Sequence, residues 1–210
     1  MTFFEHAMIG VDGALALGLY RRWGWPIVAL AAVESMLPDW DGMTLCLGPS
    51  GYIQGHRVWG HGLLVAGLVA VVTSALLWRG DLIPRVQRAL GRRWTVFAAK
   101  DSTDAIERSC SWRDCLVWMV VGLVAAWGHL LADVLFSIGR HLPIWGVPLW
   151  WPFSRREFAW PMIAWGDVGP TIILAAGMFA MVRRPRSVQL IAAATLGLLA
   201  VYVGVRGWFL

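Results

Sequence analysis

Four stretches of this 210-residue chain, 59–78, 116–138, 159–182 and 188–208, are apolar over about the 20 residues that a helix needs to cross a bilayer. Two weaker stretches precede them: 2–20, interrupted by Glu5, His6 and Asp12, and 25–37, which is short for a span. These two are expected to pair as a hairpin that crosses the membrane or only dips into it. The predicted fold is therefore all-α, a polytopic membrane bundle of about six helices in a single domain over 1–210, with four helices clearly long enough to span. Composition agrees, with 58% hydrophobic and 15% charged residues, where a soluble domain averages about 45–50% and 25%. That balance excludes a disordered tail, a fibre and an ordinary soluble enzyme. The first twenty residues lack the basic start and small-residue cleavage site of a secretory signal, so they are expected to stay in the mature protein.

The net charge of +5 suits the anionic membrane surface rather than nucleic acid in a chain of this class. If the connections alternate sides, 13 of the 18 basic residues fall on one side, eight of them in the loop 79–114. Short cytoplasmic loops retain Lys and Arg, so that side is expected to be cytoplasmic. Within the loop, the spacing of Leu82, Val86 and Leu90 predicts a short amphipathic helix on the membrane. Cys46, Cys110 and Cys115 have no zinc-ribbon spacing and suggest neither a disulfide framework nor a structural metal. Asp167 and Arg206, at similar depth on the last two helices, read as a structural ion pair.

The five histidines, His6, His56, His61, His129 and His141, fall on or near the opposite, non-cytoplasmic side, together with Asp39, Asp41 and Asp133. Ionisable groups within or beside a bilayer are costly, so their gathering is a functional-site signal. His129 and Asp133 are four apart and share one face of an apolar helix, which suits two ligands of one metal ion or a buried hydrogen-bonded pair. Asp39 and Asp41 follow Pro38, which favours ending the preceding helix. In an extended segment both carboxylates would face one cation. His56 and His61, five apart, can meet at one site if His56 precedes the helix, and His6 could close the cluster.

These residues stand in a pattern that resembles the YdjM-type membrane-bound metal-dependent hydrolases. The matching motifs, in order, are Leu37-Pro38-Asp39-Trp40-Asp41, His56-Arg57-Val58-Trp59-Gly60-His61, His129-Leu130-Leu131-Ala132-Asp133 and Gly146-Val147-Pro148-Leu149-Trp150-Trp151-Pro152-Phe153, with His6 as the early histidine. The family often has His where Gly42 stands and Thr where Gly60 stands. The arrangement is also distantly similar to zinc-dependent phospholipase C and P1 nuclease, all-helical enzymes whose zinc ions are held by His and Asp. The resemblance implies an enzyme of a bacterial inner membrane, and the distribution of basic residues puts its site on the non-cytoplasmic side. The implied reaction is hydrolysis of phosphoesters such as phospholipids.

Imidazole and carboxylate together suit zinc first, then manganese or iron, and one ion or more. The expected ligands are His6, Asp39, Asp41, His56, His61, His129 and Asp133. A bound water would be the nucleophile, with Asp39 or Asp41 taking its proton and Arg57 holding a phosphate oxygen. The Trp- and Pro-rich segment 145–153 would line a lipid-headgroup entrance or an aromatic belt. The alternatives are a divalent-metal transporter or sensor using the same ligands, and a structural membrane protein without metal.

Overall fold

The structure is a computed structural model describing residues 1–93, 111–139 and 144–209. Its helices, in chain order, are α1 (Phe3–Ala16), α2 (Tyr20–Trp23), α3 (Trp25–Met36), α4 (Gly48–Gly55), α5 (Leu63–Arg79), α6 (Leu82–Arg93), α7 (Trp112–Leu135), α8 (Val168–Arg183) and α9 (Val188–Trp208). A 3-10 helix, Leu37–Leu47, joins α3 to α4. Among the described residues there is no strand, only the isolated bridges Ile138 to Ala164 and Val147 to Phe158. The all-α expectation therefore holds. The chain is broken into more pieces than about six, because Gly24, Pro38 and Gly48 punctuate its first quarter.

Short α3 forms the centre, packed against α1, α5 and α7, with Ile27 and Leu30 fully buried. The close approach of α1 depends on Gly10, where a Cβ would run into the Ala31 carbonyl oxygen and Ser35 Oγ. Glu34 of α3 is fully buried and accepts hydrogen bonds from Thr73 Oγ1 (2.8 Å) and Ser74 Oγ (3.0 Å) of α5. α8 and α9 pair with each other and with the outer face of α1.

Two helices, Trp112–Leu135 and the unit Pro185–Trp208, are long and apolar enough to span, and the pair Leu63–Arg79 and Leu82–Ala89, bent by 61°, would make a third. This corrects the expectation of four clear spans. In 59–78 the residues before Leu63 are used in a non-helical loop that carries His61. In 159–182 the chain stays irregular until Asp167 caps α8 by accepting from the Gly169 N–H (2.8 Å). Before that point Trp160, Met162 and Ile163 donate their N–H groups to Val134 and Leu135 at the end of α7. Helix length is thus traded for backbone that closes over one end of the bundle.

The amphipathic helix predicted in the basic loop is present as α6, with Ile83 buried and Leu82 and Val86 exposed; residues 94–110, with Cys110, lie outside the described residues. Asp167 accepts hydrogen bonds from Tyr202 (2.7 Å) and Arg206 (3.2 Å), the ion pair read from the sequence. Gly10→Val should cost about 1–3 kcal/mol by overpacking α1 against α3. Gly13→Ala, where a Cβ would meet nothing within 4 Å, should be neutral or slightly stabilising. Thermal unfolding in detergent, compared between the two variants, checks this.

Candidate metal centre

A 3-10 helix, a loop and two α-helices meet at one end of the bundle. The 3-10 helix begins where Pro38 ends α3 and carries Asp39 and Asp41. A 3-10 helix of 11 residues is unusually long. It replaces the expected extended segment, but the two carboxylates still come together beside His56, with ligand atoms within 4.8 Å of one another. The loop after α4 carries His56, Arg57 and His61, so both histidines precede α5, as the spacing required. His129 and Asp133 come from the last turns of α7, and His6 from α1.

Two hydrogen bonds decide what the centre can do. His129 Nδ1 lies 2.7 Å from the Ser35 carbonyl oxygen, and His61 Nδ1 lies 3.0 Å from Asp41 Oδ2. Both oxygens only accept, so each Nδ1 carries the proton and each Nε2 offers a lone pair. Those two Nε2 atoms face each other at 3.2 Å. Asp133 Oδ2 lies 3.2 Å from His61 Nε2 and 3.6 Å from His129 Nε2, and Asp39 Oδ1 lies 3.5 Å from both. Four electron-pair donors thus converge, all within 4.8 Å of one another.

A tetrahedron around an ion with nitrogen and oxygen ligands at about 2.0–2.1 Å has edges of about 3.3–3.4 Å, so these spacings are of the size that a four-coordinate metal ion needs. The oxygens behind Nδ1 of each histidine supply the outer support that metal-bound imidazole normally has. Asp39 is shared with a second group, Asp39, Asp41 and His56. His56 Nδ1 is 2.9 Å from Asp41 Oδ1 and His56 Nε2 is 3.9 Å from Asp39 Oδ1.

Asp41 lies between the groups and also accepts from the Gly60 N–H at 2.9 Å. With the backbone placed as it is here, a Cβ at position 60 would run into the Pro38 carbonyl oxygen. Burial would push the Asp41 carboxyl up, but the hydrogen bonds from His56, His61 and Gly60 outweigh it and hold the group well below the usual carboxylate range. Asp39 is likewise held low against burial, by His129 and His61. Burial alone would lower His61, yet Asp133, Asp39 and Asp41 raise it to about 10. A proton on His61 Nε2 therefore occupies the position in which a cation would sit.

His6 stacks on His129 with ring centroids 3.6 Å apart and brings Nε2 to 3.4 Å from Asp133 Oδ1. Among the described residues neither ring nitrogen has a hydrogen-bond partner. It flanks the four converging residues without joining them. Arg57 is buried with its guanidinium on Asp133 and the Trp145 carbonyl oxygen. Tyr52 and Trp145 pack on the His56 ring; Trp145 begins the segment expected to line an entrance, whereas neither Tyr52 nor Ser35 stood out in the sequence as part of the site. His141 lies outside the described residues.

The match to known proteins is consistent with this arrangement. The model of the YdjM inner membrane protein family matches residues 1–209. The chain belongs to that family. It is a membrane protein, and the cluster could hold a metal ion. No curated protein and no solved structure matches it.

His129→Ala and Asp133→Ala should each lower bound metal, measured by elemental analysis of purified protein, while the chain still inserts in the membrane. Metal must displace the His61 proton, so below about pH 10 binding should release about one proton and tighten as pH rises. Titration calorimetry in two buffers of different ionisation enthalpy reads that proton. In metal-free protein the sign reverses. The raised His61 contributes stability that is fully present below about pH 6.5 and lost as pH rises through about 10.

Proposed function

We propose that this protein is a metal-dependent hydrolase of phosphoesters, using a metal-activated water. The observation that carries this reading is the convergence of His61 Nε2, His129 Nε2, Asp39 Oδ1 and Asp133 Oδ2 with both histidine tautomers fixed. Such a set holds a divalent cation, zinc first by its imidazole and carboxylate ligands, and the cation would lower the pKa of a bound water from 15.7 toward about 7.

The two groups divide the work. Four protein ligands close a tetrahedral site, whereas a hydrolytic site keeps one position open. Asp39, Asp41 and His56 supply three ligands, and the His56 side chain is the most exposed of the cluster at 11%. The reaction is assigned to that outer group, with the inner four fixing its shared carboxylate. The histidine contacts of Asp39 run to Oδ1, and among the described residues no hydrogen bond engages Oδ2, which makes Oδ2 the acceptor for the proton of the attacking water.

An apolar cleft of about 290 Å³ opens beside Asp41, lined by Trp40, Met43, Leu47 and Trp59 among others. It suits a substrate that carries hydrocarbon next to its phosphoester, as a membrane lipid does. The ligands gather at one end of the bundle, which favours an enzyme over a transporter, whose site would lie near mid-membrane. The excess of basic residues on the other side supports a site facing away from the cytoplasm.

Asp39→Asn should lower turnover of a phosphoester substrate by orders of magnitude, and chelation should do the same reversibly. His56→Ala should abolish turnover while leaving the inner ion in place. A covalent enzyme intermediate, or an Asp39→Asn variant as active as the wild type, would overturn the mechanism. For orientation, a cysteine at Ser50 in a cysteine-free background should react with an impermeant thiol reagent in intact cells, and one at Ser102, outside the described residues, should not. The reverse pattern would place the site in the cytoplasm.

A further inference from the structure

Arg57 is the one arginine in the motifs around the centre, and its environment differs from that of a side chain waiting for substrate. It is 1% exposed. Nη2 is 3.1 Å from Asp133 Oδ1, and Nη1 donates to the Trp145 carbonyl oxygen at 3.0 Å and approaches the Asp133 carbonyl oxygen at 3.5 Å. The guanidinium also lies over the Trp145 ring, 4.8 Å from its centroid. Both terminal nitrogens are thus engaged by the protein, and among the described residues only Nε is left without an acceptor. The backbone carries a cost for this placement, since Arg57 has φ +63°, in the left-handed region that a non-glycine residue rarely adopts.

Asp133 is divided by these contacts. Its Oδ1 faces Arg57 and His6, with the Met1 amino group at 3.2 Å, while Oδ2 faces His61 and His129. A carboxylate pinned at one oxygen presents the other in a fixed direction. The same fork ties the loop 56–61 to α7 and to the segment at Trp145, so that His56 and His61 are held on either side of an anchored residue.

Resting on the metal-centre reading above, we infer that Arg57 is a positioning residue: it clamps Asp133 Oδ1 so that Oδ2 is presented to the ion, and it does not bind the substrate phosphate. Lysine at this position would keep the charge and lose the planar fork that reaches Asp133 and Trp145 together. Outer contacts that orient a metal ligand are worth about 10- to 100-fold in metal affinity.

The test is a double-mutant cycle read on metal affinity, by competition between Co2+ and a chelating dye, with the Co2+ absorption spectrum as a check on ligand geometry. Arg57→Lys should weaken Co2+ binding by about 10- to 100-fold and alter the spectrum. In an Asp133→Ala background the same substitution should change affinity less than about twofold, because the side-chain contact it acts through is gone. Inorganic phosphate should bind metal-saturated Arg57→Lys as tightly as metal-saturated wild type. Unchanged Co2+ affinity in Arg57→Lys, an equal loss in the Asp133→Ala background, or a selective loss of phosphate affinity would each overturn the assignment. A wild type that binds no Co2+ would instead remove the metal centre itself.

Discussion

Lone pairs that face one another across 3.2 Å repel unless something positive lies between them. The organisation of this bundle's functional end follows from that constraint. His61 and His129 cannot turn away, because their Nδ1 protons are committed to Asp41 and to the Ser35 carbonyl oxygen. Asp39 and Asp133 add negative charge to the same point. Burying carboxylates without compensation costs several kcal/mol or more per ion. The arrangement is tolerable only with a proton or a cation at the centre, and Arg57 carries part of the remaining charge. Fold and site are thereby coupled, since the carbonyl that fixes His129 belongs to the last turn of the central helix α3.

Part of this was legible in the sequence because it depends on short-range periodicity. The spacing of His129 and Asp133 on one face is a property of any α-helix, and Gly55 signalled a break that lets His56 and His61 meet. The resemblance to the YdjM family also held over essentially the whole chain. Other features depend on long-range geometry that no spacing encodes. The reading of 37–41 as extended failed because Pro38 ends the α-helix without preventing a tighter one, yet Asp39 and Asp41 still meet at His56 and His61, each on a different ring nitrogen. The burial of Arg57 against Asp133 was not legible, because nothing in the sequence signals a left-handed backbone or a partner 76 residues away.

The span count failed for a related reason. Hydrophobicity reports that residues avoid water, which backbone folded over the end of a bundle does as well as a transmembrane helix. In 159–167 the N–H groups of Trp160, Met162 and Ile163 find carbonyls at the end of α7 and that of Trp165 finds Ile138, while in 59–62 the Gly60 N–H donates to the Asp41 carboxylate. Glu34, within a stretch read only as a short apolar helix, is stabilised by hydroxyls of α5 that its own neighbourhood does not reveal.

The shortness of α5 and α8 has a consequence for the surrounding lipid. At 17 and 16 residues they rise only about 24–26 Å, less than the roughly 30 Å hydrocarbon core of a typical bilayer. Lipids beside them must shorten their reach or the bilayer must thin locally. Either adjustment draws the headgroup layer down toward the end of the bundle from which α5 and α8 begin. The mismatch would thus act as a mechanical lever, bringing phosphates toward the metal centre without any residue reaching out to fetch them.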